Sequence, residues 1–309
     1  MRAIGQDGFG GPEVLQVVEV ERPEPGVAEV LVRVHAAGVN PTDAWHRASG
    51  GLTGRVTRLG WDVSGVVEAI GIGVTTLAVG DEVFGMPRHP LAAGTYAEYV
   101  TSPARHLVRK PAGLDHTEAA ALALTGMTAW QALVDTADVR PGQRVLVHAA
   151  AGGVGHLAVQ IAKARGAYVI GTARAAKHDF LRGLGADELI DYTAVDFETA
   201  VDPVDVVVDT IGGEYGPRSL AALRAGGILV SLASPAEAYL ADLARPQGKR
   251  AAFMAVEADQ AGLRELVALV GAGQLRPVLD SVLPLELAAK AHELLDSGRT
   301  RGKIVLTVV

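Results

Sequence analysis

The sequence predicts an α/β protein in which a β-rich part is combined with a parallel, doubly wound sheet. Up to about Pro111, short runs of alternating apolar residues are separated by turns rich in glycine and proline. From Arg144 to about Leu232, apolar strand patterns alternate with helical ones, which is typical of a parallel sheet. At the end, helical patterns surround one short strand and the chain closes on a further strand pattern.

The β-rich part rests on short strands whose length and turns favour a small, partly closed barrel. They are predicted at 14–20, 29–36, 62–70, 82–85 and 97–100. The last strand, 303–309, is far in sequence from the parallel sheet. We therefore expect it to rejoin the barrel, which would make the first domain discontinuous.

The α/β part follows an N-cap candidate, Asp115, and an alanine-rich helix. Its strands are predicted at 144–149, 168–172, 188–192, 204–210 and 227–232, and its helices at 157–165 and 180–184. Beyond it, helices are predicted at 263–270 and 286–295 and a strand at 282–285. The predicted domains are 1–116 with 257–309, and 117–256.

Composition excludes several classes of function. The 309 residues contain 49% hydrophobic and 20% charged residues, which is typical of a globular chain. A net charge of −7 argues against nucleic acid and anionic membranes as partners. The absence of cysteine excludes disulfides, thiol nucleophiles and thiolate metal sites. No apolar run is long enough for a signal peptide or a membrane span, so we expect a cytoplasmic protein.

A glycine-rich turn between a strand and a helix is the strongest single motif. It comprises Gly152, Gly153, Val154 and Gly155 after the strand that ends near His148. Glycines allow a tight turn and close approach of the backbone, and a helix N-terminus offers N–H groups to a pyrophosphate. The motif predicts a dinucleotide site.

The residues after the next strand indicate which dinucleotide. NAD-binding proteins usually carry Asp or Glu about 20 residues past the first glycines, where it holds the ribose 2′-hydroxyl. Here Thr172 is followed by Ala173 and Arg174, and then by Lys177. Two cations suit a 2′-phosphate better than a hydroxyl, so the sequence favours NADP(H).

With these motifs in order, the chain resembles the zinc-free medium-chain dehydrogenases and reductases, in particular the quinone oxidoreductases of the zeta-crystallin type. The resemblance extends over essentially the whole chain. Its motifs are GGPEVL at 10–15, AGVNPTD at 37–43, GVVEAIG at 65–71, VGDEV at 79–83, AAAGGVG at 149–155, LGADELIDY at 184–192 and RGKIV at 301–305. It implies a GroES-like barrel as catalytic domain, an inserted Rossmann domain, and an active site in the cleft between them.

The resemblance also implies that no metal takes part. Zinc-containing relatives carry a Cys and a Gly-His-Glu where this chain has Asn40 and Gly60-Trp61-Asp62. The histidines show no metal-ligand spacing, and we expect His46, His89 and His106 at the surface. What remains is hydride transfer from a nicotinamide to an acceptor that is already electrophilic, such as a quinone or an α,β-unsaturated carbonyl.

Site residues follow from the resemblance position by position. Asn40 and Trp45 would flank the nicotinamide and the acceptor, and Thr128 would contact the nicotinamide ribose or carboxamide. The glycine turn would hold the pyrophosphate, and Lys177, Tyr192 and Arg174 the 2′-phosphate and adenine end. The remaining cofactor contacts are expected from Thr172, Thr210, Ile211, Leu232, Phe253, Val256 and Lys303.

Two other functions stay open at this stage. One is an enoyl-thioester reductase on the same scaffold, although Trp45 stands where relatives often carry a Tyr proton donor. The other is a protein that binds NADPH without turnover. The resemblance further implies a homodimer, formed through the last Rossmann strand near 250–256.

Overall fold

A computed structural model describes residues 1–51, 54–55 and 58–308. The chain divides into two compact units: unit 1 is Met1–Met127 with Glu257–Val309, and unit 2 is Thr128–Val256. Within the described ranges, no helix has both the length and the apolar character needed to cross a bilayer.

The strands are β1 (Arg2–Gly5), β2 (Gln16–Glu19), β3 (Glu29–Val39), β4 (Val63–Ile70), β5 (Glu82–Gly85), β6 (Tyr99–Pro103), β7 (Leu107–Arg109), β8 (Arg144–Val147), β9 (Tyr168–Thr172), β10 (Glu188–Ile190), β11 (Val204–Asp209), β12 (Leu223–Ser231), β13 (Arg250–Phe253), β14 (Leu279–Pro284) and β15 (Lys303–Thr307). The α-helices are α1 (Pro41–Ser49), α2 (His116–Trp130), α3 (Gly155–Ala164), α4 (His178–Gly183), α5 (Phe197–Ala200), α6 (Tyr215–Ala222), α7 (Leu240–Ala244), α8 (Gln260–Gly271) and α9 (Ala288–Asp296).

Unit 1 is built on a seven-stranded sheet in the order β14-β15-β3-β4-β5-β7, with β6 also paired to β3. The long strand β3 pairs antiparallel with β4, β6 and β15, so it organises the whole sheet. The C-terminal strand thus joins the β-rich part, as predicted, through the register Val39↔Ile304 to Ala36↔Thr307. The predicted strand extended to Val309, which lies outside the described residues.

Unit 2 contains a six-stranded parallel sheet in the order β10-β9-β8-β11-β12-β13. From the centre of the sheet, the strands follow chain order outward on both sides: β8, β9 and β10 on one side, and β11, β12 and β13 on the other. This is the order of a Rossmann sheet. Its centre is apolar on both faces, because helices cover a parallel sheet on both sides. Val145, Val169, Val207 and Leu229 are fully buried.

The first domain boundary differs from the prediction. We predicted a change of domain after residue 116, whereas the units divide between Met127 and Thr128. The reason is that most of α2 packs in unit 1: Ala120 and Ala121 form a buried cluster with Ala36 and Val305. An alanine-rich helix gives no signal in sequence for which sheet it covers.

The surface position predicted for His46 is wrong. His46 is fully buried, because its ring packs against Trp61 with centroids 4.6 Å apart and its Nδ1 lies 2.8 Å from the Thr42 carbonyl oxygen. His89 and His106 are half-buried. A histidine in α1 therefore belongs to the aromatic core of unit 1.

The inward-facing residues of β15 should carry much of the stability of unit 1. Leu306 is fully buried in the core of unit 1, whereas Val282 on the neighbouring strand is 45% exposed. We expect Leu306→Ala to lower the free energy of unfolding by about 2–5 kcal/mol, because it leaves a cavity in the core. Val282→Ala is the matched control and should change it by no more than about 0.5 kcal/mol. Urea titration of both variants measures this, and equal losses would contradict the packing described here.

Candidate active site

The carboxyl edge of the parallel sheet gathers almost all the cofactor residues predicted for unit 2. Because all six strands run in the same direction, the residues that follow them meet at one edge. These are Gly152–Gly155 after β8, Thr172 at the end of β9 with Arg174 and Lys177 after it, Tyr192 after β10, Thr210 and Ile211 after β11, Leu232 after β12, and Phe253 at the end of β13 with Val256 after it. Thr128 is not in this set: it is buried on α2, at the start of unit 2.

The glycine turn after β8 leaves backbone donors open. It is closed by a bond from the Gly152 N–H to the Ala149 carbonyl oxygen, at 2.8 Å. Across the part of the chain that the structure describes, the N–H groups of Gly153 and Val154 donate to no protein acceptor. A Cβ at Gly155 would lie 2.4 Å from the Ala149 oxygen, so only glycine fits where α3 begins. The turn therefore fits a diphosphate, which would accept from these N–H groups at a helix N-terminus.

A buried histidine, His148, directly follows β8 and precedes this turn. The two ring nitrogens of His148 lie 3.1 Å from Thr172 Oγ1 and 3.0 Å from Ser219 Oγ. Burial lowers the pKa of His148 to about 3, so the ring is neutral. The Thr172 hydroxyl is therefore engaged inside the unit, while Thr210 Oγ1 donates to the His148 carbonyl oxygen at 3.2 Å. His148 was not among the predicted residues, although it directly precedes the turn.

The end of β9 presents cations. Arg174 is exposed, and its Nε donates to the Tyr192 hydroxyl at 3.3 Å, so two predicted residues meet. The Asp191 carboxylate accepts from the backbone N–H groups of Ala175 and Thr193 and so fixes the turn that carries Lys177. No acidic residue directly follows β9, where a ribose 2′-hydroxyl would require one.

Two buried carboxylates shape the loop after β11. Asp209 Oδ1 accepts from the N–H groups of Ile211 at 2.8 Å and Gly212 at 3.1 Å, and Glu237 Oε1 accepts from Gly213 at 3.1 Å. Burial raises the pKa of Asp209. The loop leaves the Ile211 side chain 41% exposed at the edge of the sheet. Sequence reasoning missed both acids, because their partners are backbone groups of a glycine-rich loop.

Unit 1 contains a separate polar network where three neighbouring strands meet. β3 ends next to Asn40, β4 begins next to Asp62, and β15 begins at Lys303; with Asp43 on α1, these four residues are each at most 2% exposed. Asn40 Nδ2 donates to Asp43 Oδ2 at 3.2 Å and to Asp62 Oδ2 at 2.5 Å. Lys303 Nζ donates to Asn40 Oδ1 at 2.5 Å and to the Val39 carbonyl oxygen at 2.9 Å.

This network changes the interpretation of two predicted residues. Both amide hydrogens and the amide oxygen of Asn40 are engaged by its neighbours, and Asn40 also caps the N-terminus of α1. Lys303, predicted to approach the cofactor, points its ammonium into the same buried network. Trp45, by contrast, is 41% exposed on α1, with its ring edge-on to His46 at 5.7 Å between centroids.

Burial and charge set the protonation of the network. Burial, and then the charge of Asp62, raise the pKa of Asp43 to about 7. Burial lowers the pKa of the Lys303 ammonium, and the carboxylates of Asp62 and Asp43 oppose that effect. At Asp62, the second oxygen accepts from the Leu124 N–H at 2.5 Å.

A catalytic zinc does not fit these residues. A zinc site needs three protein ligands of nitrogen, sulfur or oxygen type. Asn40 has already used its oxygen, and the position of the histidine ligand in zinc-containing relatives is the indole of Trp61, whose Nε1 donates to Leu91. No group of three or more His, Asp or Glu side chains that could hold a metal occurs within the described ranges.

Comparison with known proteins places these observations in a family. The family model described as the alcohol dehydrogenase GroES-like domain matches residues 26–112, and the model described as zinc-binding dehydrogenase matches residues 184–306. A quinone oxidoreductase of Sus scrofa is 33% identical over 99% of this chain and 97% of its own length.

Two similar solved structures are also quinone oxidoreductases. A quinone oxidoreductase from Coxiella burnetii has a TM-score of 0.95 and 38% identity, over 100% of this chain and 99% of that one. An Escherichia coli quinone oxidoreductase in complex with NADPH has a TM-score of 0.89 and 31% identity, over 99% of this chain and 100% of that one. The chain belongs to the quinone oxidoreductase family of the medium-chain dehydrogenases and reductases.

Proposed function

We propose that this protein is an NADPH-dependent, zinc-independent oxidoreductase that transfers hydride to quinones or α,β-unsaturated carbonyl compounds. The observation that carries the proposal is the carboxyl edge of unit 2. There, a glycine turn with open N–H donors is followed by a strand end that carries cations instead of the acid that NAD requires. The NADPH complex of the Escherichia coli relative supports the same cofactor.

The residues of unit 2 would hold NADPH at two points. The N–H groups of Gly153 and Val154 would bind the pyrophosphate, and Arg174 with Lys177 the 2′-phosphate. When bound, the nicotinamide supplies the hydride. Asp209 fixes the loop that presents Ile211 at the same edge, so the binding surface is set before the cofactor arrives.

In unit 1, the exposed Trp45 ring offers an apolar surface suited to a flat conjugated acceptor. Such acceptors delocalise the charge that hydride transfer produces, so they need no metal to polarise them. Asn40 and Lys303 would not contact the acceptor, because their polar atoms are bonded to one another. They would instead fix the position of α1, which carries Trp45.

The choice of cofactor can be tested by removing the two cations. We expect Arg174→Ala with Lys177→Ala to raise the Kd for NADPH about 10- to 100-fold and that for NADH by no more than about threefold, because only the 2′-phosphate loses charge-assisted bonds. Calorimetric titration with both cofactors measures this. Arg182→Ala is the matched control, since Arg182 is exposed on α4 and pairs with Asp179. Equal losses for both cofactors would remove the assignment of the 2′-phosphate site.

The reaction itself is tested by following NADPH absorbance with a panel of quinones, enones and an enoyl thioester, with and without a chelator. We expect turnover with quinones or enones at a rate that the chelator leaves unchanged, because the unit 1 network offers zinc no ligand set. A rate abolished by the chelator and restored by zinc would overturn the proposal. Turnover of the thioester alone would identify an enoyl-thioester reductase, and binding without turnover a non-catalytic NADPH-binding protein.

We further propose that the protein forms a homodimer through β13. β13 is the last strand in the order of the described unit 2 sheet, so its outer edge can pair with a second copy. We expect light scattering to give twice the chain mass of 32.0 kDa. Ala252→Lys, which places a charge at the centre of β13, should shift the protein towards monomer. A monomer at every concentration before substitution would contradict this assembly.

A further inference from the structure

The Lys303 ammonium is the cation of a buried site that contains two carboxyl groups. It lies 4.0 Å from Asp62 Oδ2 and donates to Asn40 Oδ1, and that amide in turn bridges Asp62 and Asp43. Two buried carboxylates without a cation would repel each other and would be poorly solvated. The ammonium therefore determines which charge states the network can adopt.

The position of this cation is fixed by the backbone. Gly302 has a φ of 78°, and a Cβ there would meet the Val278 carbonyl oxygen at 2.2 Å, so the turn before β15 requires glycine. The Lys303 N–H then donates to the same carbonyl oxygen at 2.9 Å. The side chain enters the network from the first residue of a strand paired to β3.

We propose that Lys303 is a positioning residue for hydride transfer, which holds the Asn40 amide and balances the charge of the buried Asp62 carboxylate. Lys303 thus acts through Asn40 and not as a ligand of the cofactor. This inference rests on the proposed function, because it concerns the acceptor side of that reaction.

Other titratable groups face the network and must be included in any pH argument. The Tyr96 hydroxyl bonds to Asp43, and it lies 3.5 Å from His292 Nε2. Arg47 Nη1 lies 2.9 Å from His292 Nδ1, and its charge is paired with Asp296 at 2.9 Å. His46 lies on the same helix as Asp43 and bonds to the Thr42 carbonyl oxygen. Among these groups of the described chain, Lys303 is the cation that contacts Asn40.

The test compares kcat for quinone reduction from about pH 6 to about pH 9, at saturating NADPH, in the full-length protein and its Lys303→Met variant. We expect the ratio of variant to wild-type kcat to fall at least about tenfold over this range, because a second carboxylate ionises without a counter-charge. The Kd for NADPH should change by no more than about twofold, because the ammonium is not proposed to contact the cofactor.

Three further variants separate charge from structure. Lys303→Arg keeps the cation and should give a ratio that is independent of pH. Lys303→Met with Asp62→Asn removes both charges of the pair and should also restore a flat ratio. Lys290→Met is the matched control, because Lys290 is an exposed lysine on α9 that pairs only at the surface with Glu293.

Three outcomes would overturn the proposal. One is NADPH binding at least about tenfold weaker in Lys303→Met, which would make Lys303 a cofactor residue. The second is a kcat lowered equally at every pH, which would indicate a structural role alone. The third is that neither Lys303→Met nor its double variant with Asp62→Asn folds. If Lys303→Met alone fails to fold and the double variant folds, that recovery supports the charge pair.

A readout without turnover keeps this inference separate from the proposed function. Thermal unfolding of Lys303→Met should lose stability relative to wild type as the pH rises from about 5 to about 8. The sign follows because a carboxyl whose pKa is raised in the folded state binds its proton more tightly there than when unfolded, so stability is lost as the pH rises through the folded pKa. The double variant should lack this loss. If wild type reduces no acceptor, the proposed function fails while this result still decides the role of Lys303.

Discussion

The hydrogen bonds between Lys303, Asn40 and Asp62 join three neighbouring strands of unit 1 at one buried point. Each residue stands at the start or end of its strand, so the network fixes the alignment of β15, β3 and β4 at the same end of the sheet. Because Asn40 also caps α1, the helix that carries Trp45 is oriented by the same contacts. The surface that we propose for the acceptor therefore depends on this buried network.

Unit 2 differs from unit 1 in how its polar groups are satisfied. In unit 1 the buried polar groups of the network satisfy one another, whereas the glycine turn of unit 2 leaves the N–H groups of Gly153 and Val154 without a protein acceptor in the described chain. A backbone donor that is shielded from water costs free energy unless a partner supplies the bond. Next to the turn, the neutral ring of His148 bonds to Thr172 and Ser219, and the Asp209 carboxylate fixes the neighbouring loop. A rigid and unsatisfied surface of this kind is what binds an anion well.

The order of strands and helices and the dinucleotide turn could be predicted from the sequence, because both rest on local patterns. The contact of Lys303 with Asn40, on which its proposed role rests, could not be predicted, because the two residues are 263 positions apart and only the pairing of β15 with β3 brings them together. The burial of His46 is not predictable from its own segment for a similar reason: it depends on Trp61, which belongs to another segment. The extent of α2 within unit 1 is likewise a property of packing between alanines and β strands.

The buried position of the Lys303 ammonium bears on which acceptors we propose for the protein. A catalytic zinc keeps an open coordination position and polarises a carbonyl oxygen directly. The Lys303 ammonium donates to Asn40 and to the Val39 carbonyl and lies beside Asp62. Its charge is therefore balanced by groups of the protein itself. An alcohol or a simple ketone would gain nothing from it. A quinone or an enone delocalises the incoming charge over its own conjugated system, so we expect such acceptors to take up hydride without a cation that polarises their oxygen.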